Sequence, residues 1–213
     1  MTREIWKADS FNKIFFKCIR DYHVTDNVDT KINNPYDADR ESVNHLMYAK
    51  CWIDTVQWHL EDIVRNPQID PVEGIKIKRR IDQSNQKRND IVEKIDESLL
   101  GFFESMSIQK KDNAKMNSES PAWIVDRLSI LCLKVYHMEA EIERKEASAD
   151  HRISCARKLD LLGQQLADLV LCFDELVEAI ANGDKFMKVY RQMKMYNDPE
   201  MNPVLYRNVT KST

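Results

Sequence analysis

Apolar residues recur along this chain every three and four positions, and almost nowhere do they alternate with polar ones. Ile5, Ala8, Phe11, Phe15 and Ile19 predict a first helix over Arg3–Tyr22. His23–Asp39 follows as a loop with turn chemistry at Asn33-Asn34-Pro35. Leu46, Ala49, Ile53, Val56, Leu60 and Ile63 form a heptad seam within a second helix, Arg40–Arg65, which Asn66-Pro67 ends. Asp70-Pro71-Val72-Glu73 combines a capping residue, a first-turn proline and a capping-box glutamate. It opens a third helix that runs to Met106, roughly 50 Å long, and its short link to the second predicts antiparallel neighbours.

Gln109–Asn117 is lysine-rich and polar and reads as a surface linker, within a loop over 108–119. Ser120-Pro121 then caps a fourth helix carrying Ile124, Leu128, Leu131, Val135, Met138 and Ile142. The same phase continues through Ile153, Ala156, Leu159, Leu162, Leu166, Leu169, Phe173 and Leu176. One unbroken helix over that whole stretch would be about 93 Å long, too long for a domain of this size, so a break is expected at Ala147–Asp150. Gly183 is placed to end the fifth helix. A short last helix over Asp184–Met195 and an irregular tail, 196–213, complete the reading. The predicted fold is all-α: one domain over 1–213, an antiparallel bundle of four long helices with one extra helix at each end.

Composition sharpens this. The chain has four glycines among 213 residues, where average usage would give about fifteen. Gly74, Gly101, Gly163 and Gly183 are too far apart for a phosphate-binding loop or a dinucleotide fingerprint. Hairpin-rich β folds are disfavoured for the same reason. Any anion must therefore be held by side chains on helix faces. Thirty-two basic against thirty-five acidic residues leave no general electrostatic footprint for nucleic acid. No run of apolar residues is long enough to span a membrane, and the polar start of the chain does not read as a secretory signal. Five widely spaced cysteines without a C-x-x-C suit reduced thiols and a cytoplasmic setting.

Several polar residues stand in apolar company. Trp58, Glu61, Asp62 and Arg65 lie opposite the seam of the second helix, flanked by Trp52 and His59. In the third, Asn85 and Arg88 interrupt the stripe Ile81, Val92, Ile95, Leu99. In the fourth, Asp126, Arg127 and Lys134 fall within a largely apolar stretch, and Asp126, Ile130, Leu133 and His137 share one stripe. Gln165 and Asp168 join Cys172 on the fifth. Each has a plain structural reading, such as an Arg65–Glu61 pair at i, i+4 or a polar layer that sets register. Together they raise the expectation of one shared polar site: Arg65, Arg88, Arg127 and Lys134 holding an anion, with Glu61, Asp62, Asn85 and Asp126 orienting them.

Familiar metal spacings are missing, with no Glu-x-x-His pair and no His-Glu-x-x-His, so neither metal nor cofactor is expected. His59, Glu61 and Asp62 are the candidate catalytic residues if the protein is an enzyme, with the carboxylates on Mg²⁺ and His59 as base. The segment Lys185–Tyr196 interleaves basic, aromatic and methionine residues, which suits packing on a bundle or contact with a partner.

Four segments resemble the bacterial domain-of-unknown-function family 4254, in its Bacteroides-type form. They are Trp58–Arg65, Ile81–Arg88, Asp126–Leu131 and Tyr190–Pro199. That resemblance implies no established activity, but the family's association with glycosyltransferases implies a setting in surface-polysaccharide or lipopolysaccharide synthesis. A second family, number 6165, has similar segments in another order, around Trp58–Arg65, Asn85–Ile95 and Asp126–Lys134; it differs at Trp123, where it has an acidic residue. The functions to be weighed are an accessory protein binding a sugar phosphate or nucleotide sugar, a Mg²⁺-dependent phosphoryl or glycosyl transferase, and a scaffold that recruits a glycosyltransferase or forms a homodimer.

Overall fold

In a computed structural model, residues 6–191 and 200–201 are described. The chain is all-α in class and is built on α1 (Ala8–His23), α2 (Val43–Val64), α3 (Pro71–Ser105), α4 (Pro121–Glu143) and α5 (Ala149–Ala181). Two strands of two residues each, β1 (Lys115–Met116) and β2 (Lys185–Phe186), pair in parallel, Lys115 opposite Lys185.

Local chemistry accounts for the helix boundaries. The Asp70 carboxylate accepts the N–H groups of Val72 and Glu73, both at 3.0 Å, and Pro71 fills the first turn. Ser42 and Ser148 cap α2 and α5 in the same way through His45 and His151. At α4 the expected Ser120 cap is replaced. The Ser120 hydroxyl donates to Asp96 of α3, and the other Asp96 oxygen accepts the Ala122 N–H at 3.1 Å. Likewise Asp174 of α5 accepts the Ala8 N–H of α1 at 3.0 Å. A carboxylate suits the positive end of a helix; supplied by a neighbouring helix, it also ties the two elements together.

Helix α1 begins at Ala8; Trp6 and Lys7 are not helical, and residues 3–5 of the expected helix lie outside the described residues. It is no appendage. Phe11, Phe15, Cys18, Ile19 and Tyr22 enter the main core, against α2, α4 and α5. Its presence changes the reading of α2. The most enclosed face of α2 carries Met47, Tyr48, Cys51 and Thr55, while Ile63 of the expected seam is exposed. Leu60 of α2 packs on Ile77 and Ile81, and Gln57 bonds Asn85, so α2 and α3 run antiparallel. The fourth and fifth helices are separated at 144–148. In α5 the expected stripe is enclosed at Phe173 and Leu176, whereas Ile153 is exposed.

One expected element is corrected. Residues 184–191 do not form a helix. The N–H groups of Gly183 and Asp184 return to Ile180 and Ala179 at 3.0 and 2.9 Å, a Schellman ending that needs the Gly183 φ of 74°. The Gly183 and Asp184 carbonyls then accept from Lys111 and Lys115 at 3.1 and 3.0 Å. The linker at 108–119 needs backbone partners, and the emerging chain supplies them as β2. Residues 192–195 of that expected helix, and the tail 196–213 apart from 200–201, lie outside the described residues.

Candidate functional site

Midway along α2 the largely apolar run Met47–Val56 carries two charged residues, Lys50 and Asp54, one turn apart. Both are buried, Lys50 completely. The Lys50 ammonium bonds the Asp54 carboxylate and lies 3.0 Å from an oxygen of Asp126 on α4. Arg88 of α3 grips Asp126 with two parallel bonds, Nε at 2.7 Å and Nη2 to the other oxygen, and its Nε lies 3.7 Å from Asp54. Ser129 donates to Asp54 at 2.6 Å. Two cations and two carboxylates from three helices thus neutralise one another inside the protein. Burial pushes the Asp54 carboxyl up, against the pull of Lys50. Burial also works on Asp126, but the Arg88 bonds and the Lys50 charge outweigh it and hold that carboxyl below its usual range. The two differ because Asp126 has the bidentate guanidinium.

The cluster opens on one side to a cleft of about 280 Å³, lined by Asp54, Gln57, Trp58, Glu61, Asp62, Arg65, Arg88, Ile130 and Leu133. Arg65 lies 3.2 Å from Glu61 and 3.7 Å from Asp62, all three on its rim. Gln57 donates to Asn85 at 2.8 Å behind it. Arg127 and Lys134 are not in this cleft. With Gln165, Asp168, Leu169 and Cys172 they line an adjoining cleft of about 550 Å³ between α4 and α5, and Ile130 belongs to both. Arg127 is held there by Glu119 at 2.9 and 3.0 Å. Of the four expected anion-binding cations, only Lys134 makes no ion pair among the described residues. A larger groove, about 830 Å³ and lined by none of these four cations and carboxylates, balances Arg40, Lys87 and Lys94 with Glu41, Asp90 and Glu97.

Trp58 also belongs to a second group. Its ring stacks on His137 of α4, centroids 4.7 Å apart and planes within 7°. His59 stacks on Tyr22, and His23, the last residue of α1, packs against Tyr136 at 4.5 Å. The His59 and His23 Nε2 atoms are 3.3 Å apart, and His23 Nδ1 is 2.7 Å from the Ile19 carbonyl. Burial lowers the His59 pKa, and lowers that of His137 to about 4, with the other imidazoles adding to the latter shift. His59 therefore sits among imidazoles, 3.7 Å from Asp26. Among the described residues, these three histidines have the spacing to hold a metal ion.

Sequence reasoning missed Lys50, Asp54, Ser129 and His23. The signal for the first two was available: a Lys–Asp pair at i, i+4 within an apolar stretch on the same stripe as Gln57 and Glu61. Nothing in chain spacing links His23 to His59 and His137, because they meet through three helices.

An all-α protein with a charge-balanced buried cluster beneath a small cleft is the class that fold and site define. The chain belongs to the family described as Protein of unknown function (DUF4254), whose model matches residues 44–189. No curated protein and no solved structure matched it.

Proposed function

We propose that the protein binds a small sugar phosphate, the sugar in the α2–α3–α4 cleft and the phosphate over Lys134. The observation that carries this is the shared wall at Ile130: Trp58 lies in one cleft and Lys134, one turn beyond Ile130 on α4, in the next. An indole face, carboxylates that accept from hydroxyls and guanidinium groups that donate suit a polyol. Arg65, Arg88 and Arg127 already hold carboxylates, so a phosphate would have to displace those partners, whereas Lys134 makes no ion pair among the described residues. About 280 Å³ suits a monosaccharide better than a whole nucleotide sugar.

The setting, an accessory step of surface-polysaccharide or lipopolysaccharide synthesis in the cytoplasm, rests on the family's association with glycosyltransferases. A Mg²⁺ site on Glu61 and Asp62 has less support, since Arg65 engages both. The test is calorimetric titration with free hexoses, hexose 1-phosphates, nucleoside-diphosphate hexoses and inorganic phosphate. Hexose phosphates are expected to bind more tightly than free hexoses. Lys134→Ala is expected to weaken only the phosphorylated ligands, about ten-fold or more, and Trp58→Ala to weaken both. Absence of binding by every sugar, or identical hexose phosphate affinity in Lys134→Ala, refutes the proposal.

A further inference from the structure

We propose that His23, His59 and His137 form a site for one divalent transition-metal ion of the zinc type. The three imidazoles come from α1, α2 and α4, and one nitrogen of each lies within 4.8 Å of the others. Zinc–imidazole bonds of about 2.0–2.1 Å at tetrahedral angles set their nitrogens about 3.3–3.4 Å apart. The His23 and His59 Nε2 atoms already stand 3.3 Å apart.

Protonation favours the same arrangement. A carbonyl oxygen only accepts, so the contact with Ile19 places a proton on His23 Nδ1, and the neutral ring then offers its lone pair at Nε2. A metal-bound histidine commonly has its second nitrogen donating in this way. Among the described residues His137 Nε2 is buried without a hydrogen-bond partner, a costly state for a polar atom that coordination through that nitrogen would relieve.

The rings are also held in place. Tyr22 stacks on His59 at 5.0 Å and Trp58 on His137 at 4.7 Å. Three neutral ligands leave a double positive charge, and Asp26, mostly exposed and 3.7 Å from His59 Nε2, is placed to offset it. Water or that carboxylate would complete the shell. Aromatic packing alone would account for the stacks, but not for one nitrogen of each of three imidazoles gathering within 4.8 Å.

The experiment titrates the full chain with Zn²⁺ alone, and with Co²⁺ as a spectroscopic reporter. One equivalent is expected to bind, Co²⁺ giving the visible bands of a four- or five-coordinate ion. His59→Phe and His137→Phe keep the aromatic stacks and remove a ligand; each is expected to weaken Zn²⁺ at least about a hundred-fold. His151→Ala, which alters the separate contact of His151 with Glu141, is expected to bind as the wild type does. A readout independent of any variant is the imidazole nitrogen spectrum of the wild-type chain. Zn²⁺ is expected to shift His23, His59 and His137 and to leave His45 and His151 in place. No binding, a shift confined to other histidines, or unchanged affinity in both phenylalanine variants overturns the proposal.

Discussion

Lys50→Met removes a positive charge from a place water does not reach while keeping the length of the side chain. The Lys50 side chain is 0% exposed and those of Asp54 and Asp126 are 3% and 4% exposed. At the 3.0 Å separation from Asp126, an effective dielectric constant near 20 gives an attraction of about 5–6 kcal/mol. Methionine recovers part of this, because no ammonium has to be desolvated and more apolar surface is buried. It leaves two buried carboxylates sharing one guanidinium, however. The expected loss is about 3–5 kcal/mol, or roughly 6–20 °C in Tm, read by urea unfolding followed by circular dichroism. The loss is expected to depend on pH. Burial already raises the Asp54 carboxyl, and removing Lys50 raises it further. An acid whose folded pKa exceeds its unfolded value stabilises while protonated and loses that contribution as pH rises through the folded pKa. The deficit is therefore smaller at pH 5 than at pH 8. Asp126 keeps the two Arg88 bonds that help to hold it low. Lys50→Met/Asp54→Leu removes the surplus charge and is expected to recover all but about 1 kcal/mol, the cost of leaving the Ser129 hydroxyl without its acceptor. A loss below about 1 kcal/mol at pH 7, or a double variant no more stable than the single one, would show that these charges are not interdependent and refute the reasoning.

Two further outcomes are expected. Gly183→Ala places a Cβ 2.4 Å from the Gln109 carbonyl oxygen at a φ of 74°, so it should cost at least about 1–2 kcal/mol and speed hydrogen exchange at the Lys111 and Lys115 amides; unchanged exchange there would contradict the role given to that turn. Under native conditions Cys172, the exposed thiol, should react with a disulfide reagent well before Cys18, Cys51, Cys132 and Cys155, since burial pushes the Cys18 and Cys132 thiols up; simultaneous labelling of all five would rule out the described core.

Much of the helical framework was legible because its signals are local. Asp70-Pro71 starts a helix whatever surrounds it, and Gly183 ends one because few other residues accept its φ. The candidate cleft was legible in part. Trp58, Glu61, Asp62, Arg65 and Arg88 stood out as polar or amphipathic groups in apolar company, and they line one cleft. Arg127 and Lys134 stood out equally, yet they line its neighbour, since one helical turn decides which side of Ile130 a residue falls on. The last helix was misread over 184–191 because the pattern Asp184–Met195 fits a helix by spacing alone, while the competing claim on that backbone came from Lys111 and Lys115, about seventy residues away.

By itself, then, the sequence determined the all-α class and most helix boundaries, because periodicity and capping act within a few residues. The tertiary structure decided which charges meet. Lys50 is neutralised by Asp126 and not by Asp54 alone, α4 takes its cap from Asp96, and three histidines gather from three helices. Side-chain electrostatics and coordination act over a few ångströms of space, whatever the separation along the chain, so those partners were settled when the helices packed.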